Sequence, residues 1–560
     1  MFTSRWDKVC VNCRRRRVKC DGVRPQCGQC SRSLSYSDCE YADEGRATGT
    51  QILEEQIART EARIEALERP GHSGAGGLGL QDPYTGKMHS HGSSSIQRTQ
   101  STSGSLYRAP TPSRHQTSGS TVSRRVCLNS FWPTNISQEM SLDKLEPLIH
   151  NFLQHSSQFG FFLNVHRFQK AIRGSSSHRA APVLLDAVCL WAVHLSDSSN
   201  LSAYEANYLS QALRSAVNAL SGTHSSNTIL DAIQAEVLLT YYFLRNTRFI
   251  EAKYHLSAAV SLVISSGLHR IRSGDVGNLS GSRSMTPPRD TIEEWERVNA
   301  FWTVLTLNNC WTAADGSPSN ISYTDTNSDA RIDTPWPSDI NASGLQNQAL
   351  PISSFGTITA FLNNQQDSGV TLSALHAKAA ILFEQASRLA SQYQPNMRDR
   401  RQFYASFKAV DALIESFKLN LPTVQSHPTR EMIVIHSLAQ VATIQLHNPF
   451  VADADASDGS RSRVVTSARA IVANLTHAPL QQFRYVDPIM GTLLMTVCRV
   501  FVSELARFRR YQQSNGSIPP QERLVMDTMD TALSAMNILA ANCPLMNSQL
   551  VTIQQSYRGH

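Results

Sequence analysis

Six cysteines fall within the first 39 residues, spaced Cys10-x2-Cys13-x6-Cys20-x6-Cys27-x2-Cys30-x8-Cys39. No other feature limits what this chain can fold into so strongly. A charged-then-apolar secretory leader is not evident at the start, and no uninterrupted apolar run approaches 18 residues. The expectation is a soluble intracellular protein with no membrane association. In that setting disulfides are scarce and clustered thiols signal metal. Each Cys-x-x-Cys pair lets the backbone turn around an ion and offer it two thiolates. Two tetrahedral zinc ions ask for eight thiolate positions, which six cysteines supply if two of them bridge both ions. A single four-thiolate site with two spare cysteines is the simpler alternative. A segment this short, with few apolar residues, has no core large enough to fold without such a staple. The five remaining cysteines, Cys127, Cys189, Cys310, Cys498 and Cys543, are scattered singly and read as small buried hydrophobes.

Charge is concentrated at the same end. Residues 1–40 hold nine Lys/Arg and four Asp/Glu, which is five of the chain's seven net positive charges. The run Arg14, Arg15, Arg16, Arg17 and then Lys19 lies between the second and third cysteines. A guanidinium bonds O6 and N7 of guanine together, and such a contact gives about 1–3 kcal/mol of discrimination. The bland reading of a charge run is a solvated face, and the same residues suit a nuclear import signal.

With these residues in hand, the chain resembles the fungal binuclear zinc-cluster transcription regulators. The six-cysteine spacing fits their pattern, as do Arg14, Arg16, Arg17, Lys19, the Cys20-Asp21 step and Pro25 before Cys27. The resemblance implies two zinc ions, with Cys10 and Cys27 bridging, Cys13 and Cys20 completing one ion, and Cys30 and Cys39 the other. It also implies a short helix over 14–19 in the major groove of double-stranded DNA, with Arg17 reading bases beside Arg16. Arg14 and Lys19 would then hold phosphates, which fixes register without reading sequence. The half-site would be CGG-like. The Arg17 position is usually lysine in that family, so this chain departs from the pattern there.

A reader of about three base pairs cannot find one genomic site alone. The stretch "TQILEEQIARTEARIEALERP" places Leu53, Ile57, Thr60, Ile64 and Leu67 at steps of 4, 3, 4 and 3, the alternation of a coiled-coil seam. It predicts a short dimerisation helix ended by Pro70, hence a homodimer. A monomer or heterodimer is the runner-up, and an ordinary amphipathic helix the structural alternative. From Gly71 the chain is Ser, Gly, Thr, His and Gln with little apolar periodicity, the composition of a disordered tether.

Beyond about residue 140 apolar residues recur at helical spacing and strand-like alternation is scarce. Candidate helices are 183–196, the pair 228–246 and 248–270 with Gly267 as a C-terminal cap, "IEEWERVNAFWTVLTL" with one stripe through Trp295, Val298, Trp302 and Leu305, the run ending at Asn448-Pro449, and a late helix striped by Met526, Met529, Leu533 and Met536. Polar loops are expected near 273–290 and 313–370. The segments "FFLNVHRF", "ERVNAFWTVLTLNNCWTAADGSPSNI" and "ATIQLHNPF" resemble the regulatory domain of the same fungal family. That resemblance implies control of activation, with a small-molecule effector among the helices.

The expected fold class is mostly α. The expected domains are a zinc-cluster module over 1–44, a linker and coiled coil over 45–70, a disordered linker over 71–135, and a large all-α helical array over 136–560. Phosphate-loop, nucleophile-elbow and His-Glu-x-x-His patterns are missing from the sequence, which argues against an enzyme. His436 and His447 are too far apart to share a metal, and His447 reads as a packing residue or dipole partner. Tyr241, Tyr242, Phe243, Trp295 and Trp302 suit either a core or an effector pocket. The acid-and-Trp336 stretch "SDARIDTPWPSDI" suits coactivator recruitment, although a plain surface loop is the simpler reading. The reading is therefore a nuclear, zinc-dependent regulator of RNA polymerase II genes. Its alternative is a metabolite-binding or enzymatic helical domain carrying an accessory nucleic-acid module.

Overall fold

The computed structural model describes residues 10, 13, 18–24 and 27–31. It further describes residues 142–558 apart from 174–178, 197–200, 222–225, 274–284, 324–330, 338–355, 395, 452–457 and 516–519. The chain divides into two units, Met1–Ser120 and Thr121–His560. The proposed coiled coil and the Ser/Gly-rich stretch lie outside the described residues.

In the first unit the described helix is α1, Gly28–Ser31. The second unit is an array of helices with no strand among its described residues. They are α2 (Leu142–His155), α3 (Val165–Ile172), α4 (Pro182–His194), α5 (Ser202–Asn218), α6 (Ser226–Arg245), α7 (Phe249–Ser265), α8 (Thr291–Asp315) and α9 (Thr357–Leu362). The series continues with α10 (Leu372–Ser391), α11 (Arg400–Asn420), α12 (Arg430–His447), α13 (Asp458–Thr476), α14 (Ile489–Asn515), α15 (Pro520–Ala540) and α16 (Pro544–Arg558). Packing is largely between neighbours: α4 on α5, α6 on α7, α8 on α10, α10 on α12, α12 on α13, and α14 on α15 and α16.

α8 begins where the Asp290 side chain accepts the Glu293 N–H and ends at Gly316, φ 74°. The sequence suggests one core-facing stripe, but the helix is buried on nearly every side, including Phe301, Val304, Asn308 and Asn309. The two asparagines explain why polar residues sit there. Asn308 donates to the Ser319 hydroxyl at 2.8 Å, and Asn309 to the Tyr323 hydroxyl at 3.2 Å, which in turn donates to Glu384 at 2.6 Å. These bonds tie the chain after Gly316 back against the helix, and a buried polar group must be so matched.

Two other expectations change. The region expected as a loop near 313–370 contains α9 and a packed strap, 331–337, rather than a surface patch. Trp336 stacks on Trp302 at 4.5 Å, and the Trp302 indole N–H donates to the Pro335 carbonyl at 2.6 Å. Asp333 is fully buried and accepts the Gly356 N–H at 2.7 Å. This burial removes both the surface-loop and the coactivator-patch readings of Trp336. In α15, Met529 and Met536 are buried but Met526 is 41% exposed, so the expected stripe starts one turn too early. Other calls hold: Cys189, Cys310, Cys498 and Cys543 are all buried, and Gly267 takes φ 73° just past α7. Cys127 lies outside the described residues. Among the described residues one helix window, Ile489–Arg510, is long and apolar enough to cross a membrane, and 56% of it is buried inside the fold, as suits a core helix.

A buried carboxylate gives this unit a pH dependence. Asp487 is 8% exposed and accepts from the Tyr241 hydroxyl at 3.1 Å and the Ile489 N–H at 2.9 Å. Burial outweighs those bonds and pushes its carboxyl up to about 6. An acid raised on folding favours the fold below its ordinary value near 4, and that contribution is lost as pH rises through about 6. The loss is about 3 kcal/mol. Asp487→Asn is therefore expected to match the parent at pH 4 and exceed it by about 2–3 kcal/mol at pH 7–8. Denaturant midpoints at the two pH values check this; an equal difference at both would contradict it.

Candidate metal centre

Four thiols converge in the first unit. Sγ–Sγ distances are 3.8 Å for Cys10–Cys27, 3.8 Å for Cys10–Cys30, 3.6 Å for Cys13–Cys27 and 3.9 Å for Cys13–Cys30. All four side chains are fully buried. Zinc–thiolate bonds of about 2.3 Å give a tetrahedron with edges of about 3.8 Å, so the donor set fits zinc. The two Cys-x-x-Cys turns are alike: the Cys13 N–H points to Cys10 Sγ at 3.4 Å, and the Cys30 N–H to Cys27 Sγ at 3.4 Å. Each bond orients a sulfur and offsets part of its negative charge. Burial raises the Cys13 thiol above its ordinary value, with neighbouring thiols pulling both ways, so a cation is needed to hold the four sulfurs together as thiolates.

Cys20 is partly buried against the four. Its Sγ, an Asp21 carboxylate oxygen and Cys27 Sγ form a second group within 4.8 Å of one another. Asp21 has a separate task that sequence reasoning passed over. Its two carboxylate oxygens accept the Gly28 N–H at 2.9 and 3.2 Å, which caps α1 and fixes the second Cys-x-x-Cys turn. The signal was hard to see because the cap reaches seven residues rather than the usual two or three. Gly22, at φ 71°, lets the chain turn back for it.

Of the remaining expected residues, Lys19 is exposed beside Cys20. Arg14–Arg17 and Cys39 lie outside the described residues. In the second unit, His447 is buried between Asp411 at 3.1 Å and Ser460 at 3.0 Å, while His436 meets the Pro422 carbonyl at 2.8 Å; they share no partner. Tyr242, Phe243 and Trp295 are core residues, whereas Tyr241 and Trp302 also face a cleft.

Comparison with known proteins bears on both units. The profile described as Fungal Zn(2)-Cys(6) binuclear cluster domain matches residues 8–47, and that of the Fungal specific transcription factor domain matches residues 149–426. The chain belongs to the fungal binuclear zinc-cluster transcription factors. This zinc-cluster chain is 24% identical over 55% of its length to a citrinin biosynthesis transcriptional activator of Monascus ruber, covering 61% of that protein. It is 25% identical over 56% of its length to a notoamide biosynthesis cluster transcriptional coactivator of Aspergillus versicolor, covering 53% of it. A stretch of 60 residues is 45% identical to an abscisic acid cluster transcription factor of Leptosphaeria maculans, over 11% of this chain and 9% of the relative. The chain thus spans less than two thirds of each of these relatives. No solved structure matches it. The matched families and relatives are transcription factors rather than enzymes, and the zinc-cluster domain brings zinc binding with it.

Proposed function

We propose that this chain is a nuclear, sequence-specific DNA-binding regulator of RNA polymerase II genes, folded around two zinc ions and acting as a homodimer on CGG-like half-sites. The observation that carries the reading is the tetrahedral set of buried thiols, with basic residues 14–19 between two of its members. In the proposed ligand scheme Cys10 and Cys27 bridge, Cys13 and Cys20 complete one ion, and Cys30 and Cys39 the other. The four described sulfurs form the donor set of one ion by themselves; the family match, which includes Cys39, favours two. When bound, zinc supplies cross-links and charge balance and takes part in no reaction. The protein's own groups do the rest: thiolates fix both ends of the basic segment, Arg17 and Arg16 face base edges, and Arg14, Arg15 and Lys19 meet the backbone. Leu53, Ile57, Thr60, Ile64 and Leu67 pair two copies. The helical unit then sets output, under a small-molecule effector and through coactivators. The names of the three relatives support a biosynthetic gene set as the target.

The roles of the basic residues separate in a binding assay. Arg17→Ala is expected to cost about 1–3 kcal/mol on the matched site and little on scrambled DNA. Lys19→Ala is expected to weaken both equally. With about four phosphates neutralised per subunit, the log–log salt slope of the dimer is about −7, and losing one contact per subunit brings it nearer −5. Equal effects of the two substitutions on matched and scrambled duplexes would refute this division.

A further inference from the structure

In the first unit a side chain that is not a thiol ties two parts of the chain together. Asp21 directly follows Cys20, and its two carboxylate oxygens accept the Gly28 N–H at 2.9 and 3.2 Å. The Val23 N–H points to the same carboxylate at 3.4 Å, and Gly22 at φ 71° turns the chain between them. The bond to Gly28 is charge-assisted, which makes it stronger than a bond between neutral groups.

Both tied parts carry candidate metal ligands. Cys20 stands immediately before the aspartate, and Gly28 lies inside the Cys27-x-x-Cys30 pair. Cys20 Sγ, Cys27 Sγ and an Asp21 oxygen all lie within 4.8 Å of one another. Within the pair, the Cys30 N–H points to Cys27 Sγ at 3.4 Å, and the Ser31 N–H donates to the Cys27 carbonyl at 2.9 Å. The turn thus orients its own sulfur, while Asp21 anchors it from seven residues away. Gathering ligands from an open chain costs loop-closure entropy. The Asp21–Gly28 bond closes the stretch between Cys20 and Cys27 without using metal. In the ligand scheme proposed above, Cys20 and Cys27 serve one ion and Cys27 bridges to the other, so this bond fixes the sulfur on which both ions depend.

We propose that Asp21 is a positioning residue of the metal centre: its carboxylate acts through the Gly28 N–H to set Cys27 and Cys30 for zinc, and is not itself a ligand. Both of its oxygens are engaged at Gly28, which accounts for its nearness to the sulfurs without a bond to metal. Groups that orient metal ligands in this way typically govern about ten- to hundredfold in metal affinity. The inference rests on the zinc reading of the cluster and adds to it a residue that controls how tightly zinc is kept.

The test is zinc competition against a chelator of known affinity, on the full chain without DNA. Native mass spectrometry reads the zinc count, and thiol labelling is followed at each step. Asp21→Ala should weaken zinc retention about ten- to hundredfold, with Cys30 labelling ahead of Cys10 and Cys13. Asp21→Asn keeps an oxygen for the Gly28 N–H but no charge, and should recover most of the loss. Asp21→Ala holding zinc as tightly as the parent would overturn the proposal. So would Asp21→Asn as weak as Asp21→Ala, because the charge rather than the bond would then be at work. Visible absorption bands of the cobalt-loaded parent that move in Asp21→Asn would place the carboxylate on the metal and also overturn it. A parent that binds no zinc would sink the zinc reading as well, whereas a zinc-loaded parent matched by Asp21→Ala sinks this inference alone.

Discussion

Stripping zinc from the protein is expected to unfold the first unit outright while the helical unit keeps its helices. Among the described residues of that unit the packed cluster consists of Cys10, Cys13, Cys27 and Cys30, with Cys20 against it, and none of these described members is an aliphatic or aromatic side chain that could take over when the metal leaves. Structural zinc contributes about 10–16 kcal/mol of apparent folding free energy in small fingers, far more than a unit of this size gains from burial. Thiol labelling reports the change. Loaded protein should protect the six N-terminal cysteines, and chelated protein should expose all six at the rate of a free thiol. Native mass spectrometry should find two zinc ions per chain, and Cys27→Ser should lower that count because a bridging sulfur serves both ions. Protection that persists under chelation would mean that something other than metal holds the unit.

The second large effect belongs to Gly160. Its φ of 69° is a region that residues with a Cβ enter at about 1–2 kcal/mol. A Cβ there would also lie 2.7 Å from a Tyr241 ring carbon and 2.8 Å from a Val237 methyl. Neither can retreat easily: Val237 is fully buried, and Tyr241 is tied to Asp487. Overpacking of this kind costs about 1–3 kcal/mol, so Gly160→Ala should lose about 2–5 kcal/mol in denaturant titration. Gly267 supplies the comparison, with φ 73° and no atom within 4 Å of a Cβ. Gly267→Ala should lose only the backbone share. If the two losses were equal, the close approach at Gly160 would be energetically empty.

The sequence was most legible where the physics is local. Cys-x-x-Cys spacing is a property of four consecutive residues, so candidate donors could be named in advance, and among the described residues the structure brings Cys10, Cys13, Cys27 and Cys30 together. Helical periodicity likewise placed α4, α6 and α7. Reading failed where partners are distant. Asn308 and Asn309 look like the polar side of an amphipathic helix until Ser319 and Tyr323 are seen to satisfy them. Trp336 looks like a loop residue until Trp302, 34 positions earlier, is found beneath it.

The central claim is that metal-held thiolates orient a basic segment that reads DNA in pairs. The most direct measurement is selection of a randomised duplex library by the full chain, with zinc and again after chelation. The account predicts enrichment of paired CGG-like triplets at one spacing, with zinc only. Enrichment that survives chelation, or none in either condition, would contradict it.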